Sequence, residues 1–491
     1  MTLAQILDGV SYSVLGGSLE VEISDLYMDS RKVTNGSAFI AIIGATSDGH
    51  TYLKDVVSKG ATALIVSENV DYLEYPGVTV VRVEDTRYAM ALMSANFFGH
   101  PEKELFTIGI TGTKGKTTTT YMIKNVLDAC GIPTGLIGTI ESIVGTVHTP
   151  AANTTPESYA IHKAFRKMVN CGMKAVVMEV SSQGLMLHRT AGILFDIGVF
   201  TNLEKDHIGP HEHTSMEHYI ACKSMLFRQC KKGIVNGDDA HLEAILRDHT
   251  CEVETYGLSE GMDYRASDME YSHEAGRIGT TFAITGKVNT RVELGMPGLF
   301  SVYNALCAVA VTSHLQVTTE QMQKALQHVH VKGRIEPVRV SDKFTLLIDY
   351  AHNAMALESV LKTLREYHPH RLVTLFGCGG NRSRDRRFEM GEVSGRLSDF
   401  TIITSDNPRF EKPEEIIADI VKGMKKTDGA YITITDRKEA IRYAITHGEP
   451  GDIIILAGKG HEDYQEINGV KYPMDERVLI QEILFELAHK A

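Results

Sequence analysis

The segment at residues 110–120, ITGTKGKTTTT, constrains the fold of this 491-residue chain more than any other. A short apolar run, FTIGIT, leads into it, and TTTTYMIKNVLDAC continues from it with helical periodicity. Gly112 and Gly115 let backbone N–H groups approach an anion, toward which the positive end of the next helix also points. A second apolar run, LIGTI, completes a strand–helix–strand unit. The pattern predicts an α/β fold in which a parallel sheet carries a phosphate-binding loop.

The residue types of this loop indicate a nucleoside triphosphate as the ligand. Lys116 supplies a positive charge for the β- and γ-phosphates, and Thr117 supplies a hydroxyl for Mg²⁺. The strict G-x-x-x-x-G-K-[ST] pattern is not met, because Ile110 stands where the first glycine belongs. The order of strand, GKT and helix still predicts ATP binding. The predicted contacts are Gly112, Thr113, Lys114, Gly115, Lys116, Thr117 and Thr118.

The rest of the chain shows three other strand patterns. Short strands mix with helical stretches over residues 1–103, and alternating strands at 251–293 predict a small antiparallel sheet. From about residue 335, near-continuous apolar runs such as TLLIDY and DIIILAG are typical of parallel strands covered on both faces. After these runs come the polar segments DYAH, GCGGNRSRDRR, SDNPR and AGKGHED, at the edge where such sheets bind ligands. We expect three domains, with a central P-loop domain and a Rossmann-like C-terminal domain.

Composition excludes several classes of function. Lys plus Arg number 50 and Asp plus Glu number 62, so the formal net charge is −12 and nucleic acid is not expected as the main partner. No run approaches the ~18 apolar residues of a membrane span. The first residues, MTLAQILDGVSY, lack the basic start and apolar core of a secretory signal. Seven scattered cysteines without C-x-x-C spacing indicate free thiols, so we expect a cytoplasmic protein.

Ordered motifs over essentially the whole chain resemble those of the Mur ligase family. The TGTxGKTT form of the loop is similar to that family's ATP loop. The other matching segments are DSR at 29–31, DGH at 48–50, NTTPE at 153–157, EVSS at 179–182, TNLEKDH at 201–207, NGDD at 236–239, PGLFSVYNA at 297–305, GRIE at 333–336, DYAHN at 349–353, GCGGNR at 377–382, DNPR at 406–409 and GKGHEDYQ at 458–465. The resemblance implies a UDP-substrate-binding domain at 1–103, an ATP-binding central domain at 104–334 and an amino-acid-binding domain at 335–491.

The family resemblance also implies a reaction, ATP-dependent amide formation. A carboxylate resists attack by an amine, so it is first phosphorylated to an acyl phosphate, from which phosphate then leaves. The implied catalytic residues are Lys116, Lys223, His207 and Arg334, and the implied Mg²⁺ ligands are Thr117, Glu179, His207 and Lys223. Lys223 aligns with a lysine that the family carbamylates with CO₂, a reaction that burial of the amine favours. Asn304, Asp349 and His352 resemble residues of the nucleotide pocket.

The segment DHIGPHEH departs from the family's DH-L-D-x-H pattern. His211 and His213 lie close to His207 in sequence, at a spacing that resembles a zinc site. No cysteine accompanies them in this segment, so a dedicated zinc site is not favoured. The roles of His211 and His213 stay open.

The resemblance assigns two groups of substrate contacts. Those for a UDP-linked dipeptide are Met28, Ser30, Ala45, Thr46, Ser47, Asn153, Thr154, Thr155, Ser181, Leu187 and Arg189. Leu187 stands where the family often has Gln, and Gln183 stands where His is common. Those for the incoming amino acid are Arg387, Asp406, Asn407, Pro408, Arg409, Gly458 and Glu462. A side chain that ends in an amino-acid group needs a guanidinium for its carboxylate and an acid for its ammonium.

The resemblance therefore implies a monomeric ligase of peptidoglycan synthesis. It would add meso-2,6-diaminopimelate to UDP-MurNAc-L-Ala-D-Glu, using ATP, Mg²⁺ and CO₂ as a carbamate on Lys223. The alternative within the family is addition of L-lysine, which has no distal carboxylate for Arg409 to bind. A more distant relative with the same loop is folylpolyglutamate synthetase. An alternative from another class of protein is a P-loop ATPase that acts as a switch, hydrolysing ATP to change its affinity for a partner. That alternative would leave the DNPR and GHEDYQ segments without a role.

Overall fold

The structure is a computed structural model that describes residues 1–205, 208–209, 212–274 and 277–489. The chain divides into two compact units, each of which is described by itself. The first comprises Met1–Asp263 and Ala310–Leu315, and the second comprises Tyr264–Val309 and the residues from Gln316 onward. The predicted boundaries at 103/104 and 334/335 stay predictions. Among the described residues, no helix has both the length and the apolar character that a membrane crossing requires.

The first unit begins with a five-stranded sheet in the order β1-β5-β4-β3-β2. Its strands are β1 (Tyr12–Gly16), β2 (Leu26–Tyr27), β3 (Ala38–Ile40), β4 (Ala63–Val66) and β5 (Thr79–Val83). Its helices are α1 (Leu3–Ile6), α2 (Leu53–Ser58) and α3 (Thr86–Phe97), with 3-10 turns at Gly49–Tyr52, Tyr72–Glu74 and Pro101–Lys103. Alternate residues of β3 enter two separate apolar layers, because successive side chains of a strand point to opposite faces.

The P-loop sheet of the first unit has the order β13-β12-β11-β6-β10-β7-β8-β9. Its strands are β6 (Phe106–Thr111), β7 (Thr134–Ile137), β8 (Glu141–Val144), β9 (Val147–Pro150), β10 (Ala175–Glu179), β11 (Phe195–Phe200), β12 (Cys230–Asn236) and β13 (Glu252–Gly257). Its helices are α4 (Lys116–Ala129), α5 (Ser158–Asn170), α6 (Ser182–Met186), α7 (Met216–Ser224) and α8 (Leu242–Leu246), with a 3-10 turn at Met225–Arg228. The strands from β13 to β7 are parallel, and β8 and β9 are antiparallel.

The predicted strand–helix–strand unit around the P-loop is confirmed. Strand β6, helix α4 and strand β7 follow in order, and β6 and β7 both pair in parallel with β10. Helix α4 ends at Ala129, and Gly131 follows with a φ of 78°, a conformation that stops a helix. The carboxyl ends of β6 and β10 therefore lie side by side, and the P-loop and Glu179 lie at those ends.

The second unit contains an antiparallel group, a parallel sheet and a hairpin. The antiparallel strands are β14 (Tyr264–Glu274), β15 (Arg277–Gly286) and β16 (Thr290–Leu294). The sheet has the order β17-β18-β22-β19-β20-β21, from β17 (Glu336–Val338), β18 (Thr345–Asp349), β19 (Leu372–Phe376), β20 (Phe400–Ile403), β21 (Ala430–Thr433) and β22 (Ile453–Ala457). Only β17 is antiparallel in it. The hairpin is β23 (Tyr464–Ile467) with β24 (Val470–Pro473).

The remaining helices follow the same chain order. They are α9 (Leu299–Thr312), α10 (Thr319–Gln327), α11 (Ala354–Arg365), α12 (Asp385–Leu397), α13 (Pro413–Met424), α14 (Arg437–Thr446) and α15 (Glu476–Ala488), with a 3-10 turn at Ser313–Leu315. Every residue of β18, β19 and β22 is buried, and two apolar layers cover this sheet. The predicted parallel sheet with both faces covered is confirmed.

One predicted strand direction is wrong. The alternating pattern at 251–293 predicted antiparallel strands, and β14, β15 and β16 follow that prediction. Strand β13, at the start of the same range, instead pairs in parallel with β12. Local alternation reports which residues are buried and carries no information on the direction of the neighbouring strand.

Candidate active site

The P-loop is built by backbone geometry that only glycine permits. Gly112 has a φ of 148°, and a Cβ there would lie 2.0 Å from Oγ1 of Thr201. Gly115 has a φ of 81° and directly precedes α4. The side chain of Lys116 folds back onto the loop, and its Nζ donates to the carbonyl oxygens of Gly112 (2.9 Å) and Thr113 (3.0 Å). The loop therefore presents helix N–H groups and an ammonium on one side of the sheet edge, as phosphate binding requires.

Lys223 reaches the same loop from α7. Its side chain is buried, with 1% of the residue exposed, and Nζ donates to the carbonyl oxygen of Gly112 at 2.8 Å. Nζ also lies 4.4 Å from the ring centroid of Tyr219, whose hydroxyl is 3.2 Å from Oγ1 of Thr113. The ammonium groups of Lys116 and Lys223 thus converge on one carbonyl oxygen. The burial expected for Lys223 is present.

Thr117 and Glu179 form a pair of oxygen donors beside the P-loop. Glu179 is 1% exposed, and Oγ1 of Thr117 donates to its Oε2 at 3.1 Å. Thr139 donates to the same carboxylate through its N–H (2.8 Å) and its hydroxyl (3.0 Å). Among the described residues, no lysine or arginine lies within salt-bridge distance of Glu179. A buried carboxylate with a neighbouring hydroxyl and neutral donors is a ligand set that suits Mg²⁺.

The residues that follow β10 hold several predicted dipeptide contacts together. Oγ1 of Thr155 donates to the carbonyl oxygen of Glu179 (2.9 Å) and accepts from the N–H of Ser181 (2.9 Å). Arg189 donates to the carbonyl oxygen of Thr155 at 2.9 Å and forms an ion pair with Glu157 at 2.6 Å. Thr155, Ser181 and Arg189 therefore form one hydrogen-bonded group at the end of the strand that carries Glu179.

The other predicted dipeptide and uridine contacts lie on loops of the first unit. Oγ1 of Thr154 is 3.0 Å from Oγ1 of Thr139, which also bonds Glu179. The carbonyl oxygen of Ser30 accepts from Nζ of Lys59 at 2.9 Å. The loop at Ala45, Thr46 and Ser47 is exposed, as is Asn153, whereas Met28 and Leu187 are half-buried. Of these residues, Thr154 is the one joined by hydrogen bonds, through Thr139, to the group around Glu179.

In the second unit, the GRIE segment packs against the GKGHE segment. Gly333 has a φ of 68°, and a Cβ there would lie 2.2 Å from the backbone nitrogen of His461. The guanidinium of Arg334 lies 5.3 Å from the ring centroid of Tyr350. Asp349 accepts from the backbone N–H of residue 335 at 2.8 Å. Burial raises the pKa of the Asp349 carboxyl, and the charge of Arg334 acts in the opposite direction.

The two remaining nucleotide-pocket predictions also lie in the second unit. The ring of His352 lies 4.7 Å from that of Tyr350, the residue that follows Asp349. Asn304 is buried on α9. Arg334, Asp349 and His352 are therefore neighbours in the structure.

Five residues at the carboxyl edge of the C-terminal sheet form what we call the loop cluster: Asp406, Asn407, Arg409, Lys459 and Glu462. Nδ2 of Asn407 donates to Oε2 of Glu462 at 2.9 Å. Lys459 is fully buried, and its Nζ donates to Oδ1 of Asn407 (2.9 Å) and to Oε2 of Glu462 (2.7 Å). A Cβ on Gly458, whose φ is 107°, would lie 2.9 Å from Oδ2 of Asp406. Buried charge therefore sets the geometry of this cluster.

Arg409 follows Pro408 with a φ of 52°, a conformation that L-residues rarely adopt. Its backbone is held by hydrogen bonds to residues 466 and 468, and Nε donates to Oε2 of Glu466 at 3.0 Å. Nη1 donates to the carbonyl oxygen of Gly380 at 2.7 Å. The side chain borders a cavity of about 520 Å³. The guanidinium is therefore held between Glu466 on β23 and the loop that follows β19.

Arg387 differs from Arg409 in its surroundings. Its side chain is 2% exposed and pairs with Glu411 (2.8 Å) and Asp419 (3.2 Å), which lie between α12 and α13 and on α13. Arg387 stays a predicted contact of the amino acid. In this structure its guanidinium joins two helices and the loop that carries Glu411.

Two predicted residues lie outside the part of the chain that the structure describes. His207 was predicted as a metal ligand, and His211 had an open role. His213 is described, and it is buried with Nε2 at 2.7 Å from Oγ of Ser182.

Comparison with known families accounts for all three regions of the chain. The model described as Mur ligase family, catalytic domain, matches residues 22–98, the Mur ligase middle domain matches 110–312, and the Mur ligase, glutamate ligase domain, matches 333–460. A UDP-N-acetylmuramoyl-L-alanyl-D-glutamate–2,6-diaminopimelate ligase of Caldanaerobacter subterraneus subsp. tengcongensis is 44% identical over 488 residues, 99% of each chain. The chain belongs to the Mur ligase family.

Two further comparisons support the same family. The UDP-N-acetylmuramoyl-L-alanyl-D-glutamate–2,6-diaminopimelate ligase 1 of Clostridium acetobutylicum is 42% identical over 491 residues. The match covers 99% of this chain and 100% of the Clostridium chain. A solved structure of a UDP-N-acetylmuramoyl-L-alanyl-D-glutamate–2,6-diaminopimelate ligase has a TM-score of 0.75 at 28% identity and covers 100% of this chain and 99% of its own. The predicted three-domain α/β class is confirmed. Members of this family are ATP-dependent amide ligases, so the chain is an enzyme of that class.

Sequence reasoning missed three residues of the candidate site. Lys459 lies inside a quoted motif, but no motif indicates that a buried ammonium joins Asn407 to Glu462. Thr139, after β7, bonds both Glu179 and Thr154. Arg437 donates to the carbonyl oxygens of residues 405 and 457 at 3.1 Å each, at the ends of β20 and β22. Arg437 lies in the charged run TDRKE at 435–439, so nothing in its local sequence indicates that its guanidinium is buried.

Proposed function

We propose that this chain joins meso-2,6-diaminopimelate, through the amine at its L-centre, to UDP-MurNAc-L-Ala-D-Glu in peptidoglycan synthesis. One observation carries the choice of amino acid: Arg409 lies two residues after Asn407, whose Nδ2 donates to Glu462, so one loop brings a guanidinium and a carboxylate to the same edge of the sheet. A side chain that ends in both a carboxylate and an ammonium is complementary to such a pair. The proposal extends to a monomer in the cytoplasm, a location supported by seven free thiols.

The first step activates the D-glutamate carboxylate at the γ-phosphate of ATP. The carboxylate oxygen attacks phosphorus, ADP leaves, and an acyl phosphate forms. The neutral amine of the incoming amino acid then attacks the acyl carbon, the C–O bond breaks with its electron pair leaving on phosphate, and the nitrogen releases a proton to solvent as the amide forms. Such reactions depend on positioning and charge neutralisation. The P-loop from Gly112 to Thr118 and the ammonium of Lys116 supply these for the phosphates.

The residues present fit a magnesium ion at Thr117 and Glu179. When bound, Mg²⁺ neutralises negative charge on the phosphate oxygens. The buried carboxylate of Glu179 would hold the ion, and Thr139 keeps that carboxylate oriented through two hydrogen bonds. We propose His207 as a further ligand. We also propose that Lys223 carries CO₂ as a carbamate, which would convert a second ammonium at Gly112 into an anion able to hold the metal.

Lys459 is a positioning residue for the amino-acid pocket. Because its ammonium binds both Asn407 and Glu462, those two side chains keep a fixed separation whether or not substrate is bound. Glu466 accepts from Nε of Arg409 and the carbonyl oxygen of Gly380 accepts from Nη1, so the direction of the guanidinium is fixed. The pocket is thus arranged before the substrate arrives, which lowers the entropic cost of binding.

A product measurement tests the proposal. Offered equal diaminopimelate and lysine with the UDP-dipeptide and ATP, the enzyme should yield a product with the mass of the diaminopimelate adduct. A lysine adduct would favour the alternative amino acid. Release of ADP should require both organic substrates. Steady ADP release without the amino acid would favour the P-loop ATPase switch and sink the ligase mechanism for this chain.

A further inference from the structure

Three side chains of types that commonly bind metals lie close together on α7 and in the segment before it. One ring nitrogen of His213, one of His218 and Sγ of Cys222 all lie within 4.8 Å of one another. His218 and Cys222 are four residues apart on α7, so they share one face of the helix. His213 and Cys222 are buried, whereas His218 is half-buried and gives solvent access. A zinc site was not favoured because the histidine segment has no cysteine, and the structure supplies the missing thiol from α7.

One ring nitrogen of each histidine has a hydroxyl beside it. Nε2 of His213 is 2.7 Å from Oγ of Ser182, and Nδ1 of His218 is 3.3 Å from Oγ1 of Thr214. Metal-binding histidines characteristically bond their other nitrogen to a neighbouring group, which sets the tautomer and the ring orientation. A neutral ring that donates through the contacted nitrogen leaves its other nitrogen able to bind an ion.

We propose that His213, His218 and Cys222 bind one divalent ion of the zinc class, with water in the remaining position. Two imidazoles and a thiolate suit Zn²⁺, whereas Mg²⁺ prefers the oxygen ligands found at Thr117 and Glu179. On binding, the thiol of Cys222 releases its proton to solvent and its sulfur bonds the metal. The next residue on α7 is Lys223, so an ion bound here fixes the helix that brings that amine to the P-loop.

Cobalt(II) is the probe. It is added to the full-length protein after transition metals have been removed, in saturating Mg²⁺, so that the proposed magnesium site at Thr117 and Glu179 stays occupied. The expected result is a near-ultraviolet thiolate-to-cobalt charge-transfer band that saturates at one ion per chain and that Zn²⁺ removes by competition. Cys222→Ser should abolish the band. The matched control is Cys171→Ser, an exposed cysteine of the same unit, which should keep it.

Two further variants keep the test decisive if Cys222→Ser fails to fold. His218→Gln changes a half-buried ligand and should abolish the saturable band. Ser182→Ala removes only the support of His213 and should weaken cobalt affinity by roughly 10- to 100-fold. Zn²⁺ should raise the melting temperature of the wild type and of Cys171→Ser, but not of His218→Gln. A wild-type protein without the band, or a band that survives Cys222→Ser or His218→Gln, overturns the proposal.

Discussion

The P-loop in the first unit and the loop cluster in the second position their functional groups by different means. In the P-loop, two glycines with positive φ and the start of α4 set the direction of backbone N–H groups. In the loop cluster, a buried lysine holds an amide and a carboxylate. The backbone-built site is encoded by a short local motif. The site built from side chains depends on residues about fifty positions apart, such as Asn407 and Lys459.

This difference has a consequence for substitution. The glycine conformations and the start of α4 set the P-loop backbone, so loss of the Lys116 ammonium, although it donates to two loop carbonyls, should lower turnover with the fold intact. A side chain of the loop cluster supports its neighbours, so its removal should change the affinity for one substrate.

Lys116→Ala should give the largest effect, because it removes the ammonium that we propose to bind the phosphates. We expect kcat to fall by at least about 10²–10³-fold, the range for removing one preorganised donor, with an unchanged melting temperature. ADP release in the presence of both organic substrates measures it. Lys231→Ala, an exposed lysine of the same unit, is the matched control. Turnover near the wild-type rate would contradict the assignment of the ATP loop.

Lys223→Ala should be nearly inactive, by about 10²-fold or more in kcat, because the proposed carbamate would be lost. Formate or acetate should restore part of the activity by supplying a carboxylate in its place. The same acids should leave Lys116→Ala inactive, since that variant lacks a cation rather than an anion. Full activity of Lys223→Ala in bicarbonate-free buffer, without added acid, would count decisively against the carbamate.

Much of the fold could be predicted because its signals are local. The runs FTIGIT and LIGTI with the glycine loop define β6, α4 and β7, and continuous apolar runs define the C-terminal parallel sheet. The direction of β13 could not be predicted, because its partner β12 precedes it by more than fifteen residues and leaves no trace in its own alternation.

The candidate site shows the same division. Motif order located the P-loop, Glu179 and the DNPR loop. It could not show that Glu466 bonds Arg409, or that Cys222 lies beside two histidines, because each depends on tertiary packing. Motif order also could not show the ion pairs of a predicted contact. Arg387 is predicted to bind the amino acid, and in the structure its guanidinium pairs with Glu411 and Asp419.

Arg409→Ala should separate the two candidate amino acids. The loss of a charge-assisted pair to the distal carboxylate should cost about 2–5 kcal/mol, so the KM for diaminopimelate should rise steeply while that for ATP changes little. Alanine accepts the positive φ no better than arginine does, so the backbone strain stays similar. Lysine as substrate should be almost indifferent to the change.

The competing explanation is that Arg409 only braces the loop through Glu466. In that case both amino acids would lose activity to the same extent. Measurement of both KM values on Arg409→Ala decides between them, with the exposed Arg339→Ala of the same unit as control. Equal losses, or preserved affinity for diaminopimelate, would remove Arg409 from the pocket.

Lys459→Met should give the smallest of these effects and tests whether buried side-chain charge builds the loop cluster. Methionine has a similar length but cannot donate, so Asn407 and Glu462 lose the ammonium they share. Removing one charged partner from such buried groups costs about 1–3 kcal/mol, which corresponds to roughly 5- to 150-fold in affinity. We expect that loss in the KM for diaminopimelate, because Glu462 would keep its direct hydrogen bond to Asn407 but lose the ammonium that neutralises and orients its carboxylate.

The ATP kinetics of Lys459→Met distinguish positioning from general damage. The P-loop is built by backbone geometry in the other unit, so the KM for ATP should stay within about twofold of the wild type. A twofold change corresponds to only about 0.4 kcal/mol, because a factor of ten corresponds to 1.4 kcal/mol. Lys459→Arg retains a charge and a donor and should recover part of the loss, while Lys343→Met, an exposed lysine of the same unit, should match the wild type. A parallel rise in both KM values, without recovery in Lys459→Arg, would mean that Lys459 supports the fold as a whole and that the loop cluster is not arranged by its charge.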